Sequence, residues 1–296
     1  MSSTTKKFRL TPEQYRYLAI GACFFIAAII VTGASVRVTG SGLGCPTWPK
    51  CTSDALVPKS SESSHAFVEF ANRVFTGLLS LSVIVAVGAS FLREPKSKTL
   101  IWLSVGLVLG VIAQIILGGI TVLVGLNPLS VAAHMIVSCF LLSCAVVLAV
   151  VSRRKETPSL RNLFQKNRQL LIMVLTYVVV VLGTVVTAAG PHAGDESTPR
   201  FDASVQTVAR IHSASAWILV ITVLFFIFRK QDRTRSLVWL LGILILQGAW
   251  GYTQYALSVP SWMVLVHVLL ATILLIMANI FWTTSVQRRD LRAAKL

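Results

Sequence analysis

The residues of this chain that could do chemistry are few and unevenly placed. There are five histidines, His65, His134, His192, His212 and His267, and all fall in loops or helix ends on one side of a string of apolar runs. His134, His212 and His267 each lie near the start of such a run. A lone histidine in an apolar helix is more often a helix–helix hydrogen bonder than a ligand. His212 and His267, however, fall on alternate helices of one half at similar depth. Two neutral imidazoles facing each other across a helix bundle suit the axial positions of a haem iron. Zinc would want three or four N, S or O ligands, and the second half offers no obvious cysteine or carboxylate to complete such a set.

The stretch FVEFANRVF, residues 67–75, holds the other reactive candidate. Of eleven acidic residues only Glu69 lies within an apolar run. A charged side chain at the centre of a span costs about 2.5–3.5 kcal/mol, so the default reading of Glu69 is functional. The structural alternative is an ion pair with Arg73, four residues on in the favourable order, near a helix N-terminus that favours negative charge. Glu69 and Asn72 are three apart and share a face. Arg73, Arg37, Arg200 and Arg210 are cations on the histidine side, suited to carboxylate partners or to snorkelling toward lipid phosphates.

Five cysteines are present. Cys23, Cys139 and Cys144 fall in apolar runs, where small soft residues commonly pack between helices. Cys45 and Cys51 lie six apart in SGLGCPTWPKC, where Pro46 and Pro49 bend the chain. A structural disulfide and a redox-active pair are both open; the spacing is neither C-x-x-C nor a zinc pattern.

These residues must be positioned by a membrane-embedded scaffold. The 296 residues are 55% hydrophobic and 13% charged, with a mean hydropathy of +0.75, a balance unsuited to a water-soluble domain. Eight runs are long enough to cross about 30 Å of hydrocarbon: Tyr17–Val38, Phe67–Leu92, Leu100–Val124, Ser130–Val151, Gln169–Ala189, Thr207–Phe228, Ser236–Leu257 and Trp262–Thr284. The net charge of +16 is a topology signal, not a nucleic-acid footprint. With the N-terminus inside, the tails and even-numbered loops hold 21 of 27 basic residues, leaving Arg37, Lys50, Lys59, Arg73, Arg200 and Arg210 on the other side. That bias predicts cytoplasmic termini and contact with anionic lipid headgroups. The N-terminus MSSTTKKFRLTPEQ reads as neither a cleaved signal nor a transit peptide, so a bacterial plasma membrane is expected.

The two halves repeat. Gln114-Ile-Ile-Leu-Gly118 precedes His134 by twenty residues, and Gln247-Gly-Ala-Trp-Gly251 precedes His267 by the same twenty. TGASVRVTGSG from Thr32 resembles LGTVVTAAGP from Leu182, an offset of 150 against 133 at the third helix of each half. An even number of spans per half makes the repeats parallel. The expected fold is an all-α polytopic membrane protein of eight transmembrane helices in two pseudo-symmetric four-helix bundles. The halves are residues 1–152 and 169–296, joined by a cytoplasmic linker, 153–168. The repeat sets Asn72, or a position within a turn of it, where the first half should carry the counterpart of His212. The first-half pair is therefore incomplete.

The motifs VTGSGLGCPTWPKC, FVEFANRVFTG, LGGITVLVGLNPLSVAAHM, TAAGPHAGD, RIHSASAW and LVHVLLA, spread over nearly the whole chain, resemble the haem A synthase family. The resemblance implies oxidation of a methyl group of haem O to a formyl group through hydroxylated intermediates, in cytochrome oxidase assembly. It implies haem b held by His212 and His267 in the second half and the substrate haem in the first, with Glu69 matching an acidic residue important for activity. Cys45 and Cys51 match a loop pair found in many bacterial members. Arg73 and Arg210 become candidates to hold haem propionates. One departure matters: members commonly read E-x-x-H-R where this chain reads Glu69-Phe-Ala-Asn72-Arg73. His134 is left as the strong ligand of the substrate haem, with Asn72 ligating weakly, holding a water or leaving the iron open, a state compatible with oxygen activation. His65 is a substitute ligand to consider. Expected partners are haem O, a haem O synthase, an electron partner and membrane lipid, with homo-oligomers allowed. The rival readings are a dihaem b-type electron carrier that leaves the haem unmodified, and a transporter.

Overall fold

Polar residues set where the helices begin. In the computed structural model, which describes residues 9–59, 63–160, 168–229 and 234–293, Thr11 forms a capping box with Gln14 and Pro12 occupies the first turn. Helix α1 therefore spans Pro12–Val38, starting a turn before the apolar run because a cap, not hydrophobicity, satisfies its first N–H groups. Helices α2 (Ser64–Leu92), α3 (Lys98–Leu123), α4 (Pro128–Val151), α5 (Arg168–Ala189), α6 (Val205–Phe228), α7 (Arg235–Ala256) and α8 (Ser261–Ala293) follow. Side-chain caps from Ser97, Asn127, Ser204 and Thr234 start α3, α4, α6 and α7. All eight are long and apolar enough to cross a membrane, and no strand occurs among the described residues. The chain is a multi-pass membrane protein. Of the expected linker, residues 161–167 lie outside the described residues, as do Lys6, Lys7, Lys230, Arg233 and Lys295 among the basic residues of the tails and loops.

Two closed rings of four helices result. In the first, α1 packs on α2, α2 on α3, α3 on α4, and α4 returns to α1; α5 to α8 do the same. The rings meet through α4 on α8, α1 on α8 and α4 on α5. Polar groups tie this seam: Asn279 Nδ2 on α8 donates to Ser143 Oγ on α4 at 2.8 Å, and Ser143 lies 2.6 Å from Tyr177 Oη on α5. Tyr177 also stacks on Phe140, ring centroids 4.6 Å apart.

The repeat extends to individual backbone angles. The α3–α4 connection places Gly125 and Leu126 at φ of 62° and 56°, and the α7–α8 connection places Ser258 and Val259 at 62° and 61°. Leu126 N–H donates to Thr121 O at 2.8 Å, and Val259 N–H to Gln254 O at 2.9 Å. Both are the six-to-one bond that closes a helix through left-handed residues. A β-branched valine there is strained. Each turn launches a helix whose histidine comes eight residues later, His134 or His267.

Candidate functional site

In the second half, α5 fixes the tautomer of a histidine on α6. His212 Nδ1 lies 3.1 Å from Val179 O, so this nitrogen carries the proton and donates it. The lone pair of Nε2 is then free for a metal. His267 on α8 faces it, ring centroids 6.5 Å apart and planes at 63°. Two imidazoles on one iron, each with a metal–nitrogen bond of about 2.0 Å and about 1.2 Å from nitrogen to ring centre, would sit about 6.4 Å apart. His267 Nδ1 is buried without a hydrogen-bond partner. Among the described residues no group of three or more His, Cys, Asp or Glu side chains could hold a metal ion. Two imidazoles at this spacing suit the axial positions of a metal whose remaining positions are already filled, as in a porphyrin. The second-half residues fit a haem.

A glycine faces each of these rings from the neighbouring helix. A Cβ on Gly183 would come within 3.2 Å of His212 Cε1, and one on Gly251 within 3.0 Å of His267 Cε1. Gln247 Nε2 donates to His267 O at 3.1 Å. The first half repeats the α7–α8 arrangement at α3–α4. Gly118 stands opposite His134, its notional Cβ 3.4 Å from Cε1. Gln114 Nε2 donates to His134 O at 3.0 Å, and His134 Nδ1 is likewise buried without a partner. On the α1–α2 side the arrangement differs. Asn72 lies where the repeat sets the counterpart of His212, or within a turn of it, its Oδ1 accepting from Thr32 Oγ1 at 2.8 Å, and a Cβ on Gly33 would meet nothing within 4 Å.

Glu69 is 6% exposed. Its Oε2 accepts from Cys45 N–H at 2.7 Å, and its Oε1 from Arg73 Nε at 3.1 Å and Nη2 at 2.5 Å. Arg73 aims its remaining donors at the α1–α2 loop: Nη2 at Cys45 O and Thr47 O, and Nη1 at Thr47 O, Pro49 O and Lys50 O. The structure thus directs this guanidinium into the loop. Cys45 and Cys51 form a disulfide, buried with Ala66 beside Phe70. Gly44 lets the loop press against α2, since a Cβ there would lie 2.4 Å from His65 O. Trp48 of the same loop lies against Gly119 on α3. The loop is therefore fastened to both α2 and α3, above the helices that carry Glu69 and face His134.

The other expected residues are more dispersed. Arg210 is exposed near the start of α6, two residues before His212. His65 is exposed at the mouth of α2, its Nδ1 2.9 Å from Ser41 Oγ. His192 Nε2 donates to Val259 O at 2.8 Å, bracing the α7–α8 turn. Sequence reasoning missed the glycines as seats for imidazole rings and the glutamines as anchors of the histidine backbones. The signal was present in the two Gln-x₃-Gly patterns, each twenty residues ahead of a histidine.

The family model described as "Cytochrome oxidase assembly protein" (COX15-CtaA) matches residues 16–279. A heme A synthase of Listeria welshimeri serovar 6b is 27% identical over 272 residues, covering 84% of this chain and 88% of its own length. One from Halalkalibacterium halodurans is 28% identical over 254 residues, covering 78% and 81%. One from Geobacillus thermodenitrificans is 31% identical over 147 residues, 48% of this chain and 45% of its own. With the matched region running from the first helix to the last and two facing histidines within it, the chain belongs to the COX15-CtaA family of cytochrome oxidase assembly proteins.

Proposed function

We propose that this chain is a haem A synthase, a membrane-bound oxidoreductase that converts a methyl group of haem O to the formyl group of haem A for cytochrome oxidase assembly. The observation that carries the reading is the asymmetry between the halves. One half seats an imidazole on each side of its bundle. The other seats one imidazole and carries the one acidic side chain buried among the described residues, Glu69.

On this reading residues 169–296 hold haem b between His212 and His267, and residues 1–152 hold haem O through His134, with 153–168 as the linker. The bound haems supply the redox chemistry. The chain's own contribution is orientation and proton handling. Val179 O fixes which nitrogen of His212 is free, and the Gln114 and Gln247 amides hold the backbones of His134 and His267. Cys45 N–H and Arg73 fix Glu69 in one rotamer. A carboxylate so held can receive the proton released as the methyl carbon is oxidised. The disulfide loop keeps bulk water away from it. Arg210, exposed at the outer end of α6, is suited to a haem propionate. The basic residues of the tails and even-numbered loops support cytoplasmic termini in a bacterial plasma membrane, where a haem O synthase would supply the substrate.

Extraction of haems from cells co-expressing this chain and a haem O source tests the reading. Haem A, or its hydroxylated precursor, should accumulate. Unchanged haem O beside intact protein carrying haem b would overturn it in favour of an electron carrier.

A further inference from the structure

The fourth imidazole seat differs from the other three in a coordinated way. At α5–α6 the elements are Val179 O, Leu182, Gly183 and His212; the 150-residue offset sets Ile29 O, Thr32 and Gly33 in their places opposite Asn72. His212 Nδ1 reaches Val179 O. In the first half Thr32 Oγ1 stands near Ile29 O at 3.4 Å and closer to Asn72 Oδ1 at 2.8 Å. The shorter contact takes the hydroxyl proton. Leu182 could make no such bond, so threonine and asparagine together replace one histidine and its carbonyl.

Two consequences follow for Asn72. Its carbonyl oxygen, the amide atom best able to bind a metal, is turned toward Thr32 on α1. Its Nδ2 is donor only and makes no hydrogen bond to a described residue. Meanwhile a Cβ on Gly33 would meet nothing within 4 Å, where one on Gly183 would meet the ring of His212. A seat cleared of its imidazole and facing an unpartnered amide donor is shaped to receive something small that accepts a hydrogen bond.

We propose that Thr32, Gly33 and Asn72 form a binding pocket for a small hydrogen-bond-accepting ligand, of the size of water or a diatomic molecule, on the face of the first-half haem opposite His134. Asn72 serves it as a hydrogen-bond donor and not as an iron ligand. This rests on the haem reading of the first half.

Carbon monoxide and imidazole are the probes, added to the purified full-length protein loaded with both haems. Reduced protein should bind about one carbon monoxide per two haems, because the His212–His267 haem has no free position. Oxidised protein should take up imidazole with a high-spin to low-spin change in its optical spectrum. Asn72→His should abolish both, and Gly33→Val should weaken imidazole binding about tenfold or more without supplying a ligand. Asn72→Leu, similar in volume but unable to donate, should still bind carbon monoxide, with the C–O stretch moved to higher wavenumber. Thr32→Val should move it too, by freeing the amide. A chain that loads only the His212–His267 haem would sink the first-half haem reading and the pocket with it. Two loaded haems with neither probe bound would sink the pocket alone. An unchanged C–O stretch in Asn72→Leu would overturn the role of Asn72.

Discussion

Glu69 and the three histidines make separable demands on the protein, and single substitutions should separate them. Glu69→Ala removes the acceptor for Cys45 N–H and for Arg73, and conversion of haem O should fall by about 10²–10⁴, the range for loss of a general acid–base group. The haem b spectrum should be unchanged, because His212 and His267 lie in the other ring. On the proposed reading, His212→Ala or His267→Ala should release haem b, read as the loss of a low-spin haem in the optical spectrum of the purified protein. Glu69 was legible in the sequence because an acid in an apolar run stands alone. The tasks of its neighbours were not. Nothing in the order Glu69-Phe-Ala-Asn72-Arg73 tells that the guanidinium turns to the loop carbonyls or that the amide oxygen turns to Thr32. Those directions are set by a loop and by a helix distant in sequence.

At the scale of elements, the disulfide loop works as a fixed roof because Gly44 has no side chain. A Cβ there would meet the backbone of His65 at 2.4 Å, and backbone cannot swing aside as a side chain can. Gly44→Ala should lift the loop, part Cys45 N–H from Glu69 and lower conversion strongly while haem b stays bound. Protease protection of the α1–α2 loop, compared with wild type, checks the displacement directly. The helices were legible as spans, since apolar runs of this length have no other use. Their starts were not, because Thr11, Ser97, Asn127, Ser204 and Thr234 cap polar first turns that hydropathy leaves out. The ring-seating glycines were hidden for another reason. A glycine in an apolar helix reads as a packing residue until the partner across the gap is known.

The whole molecule holds its two rings together through α1, α4, α5 and α8, with Ser143, Tyr177 and Asn279 at the seam. A fluorescent protein fused to the C-terminus should fold and fluoresce if that end is cytoplasmic, and a phosphatase fused within the first outer loop should be active on the far side. The opposite pattern in both fusions would invert the proposed topology. Contacts of α1 with α8 mirror those of α5 with α4, while α4 meets α8 across the centre. That is the pattern of an isologous dimer, here written as one chain. In a dimer of identical subunits one gene specifies both sites, so a change such as asparagine for histidine would strip a ligand from each. Covalent fusion removes that constraint. Each copy can then drift on its own, which on the proposed reading lets one keep a saturated centre while the other gives up a ligand to make room for a reaction.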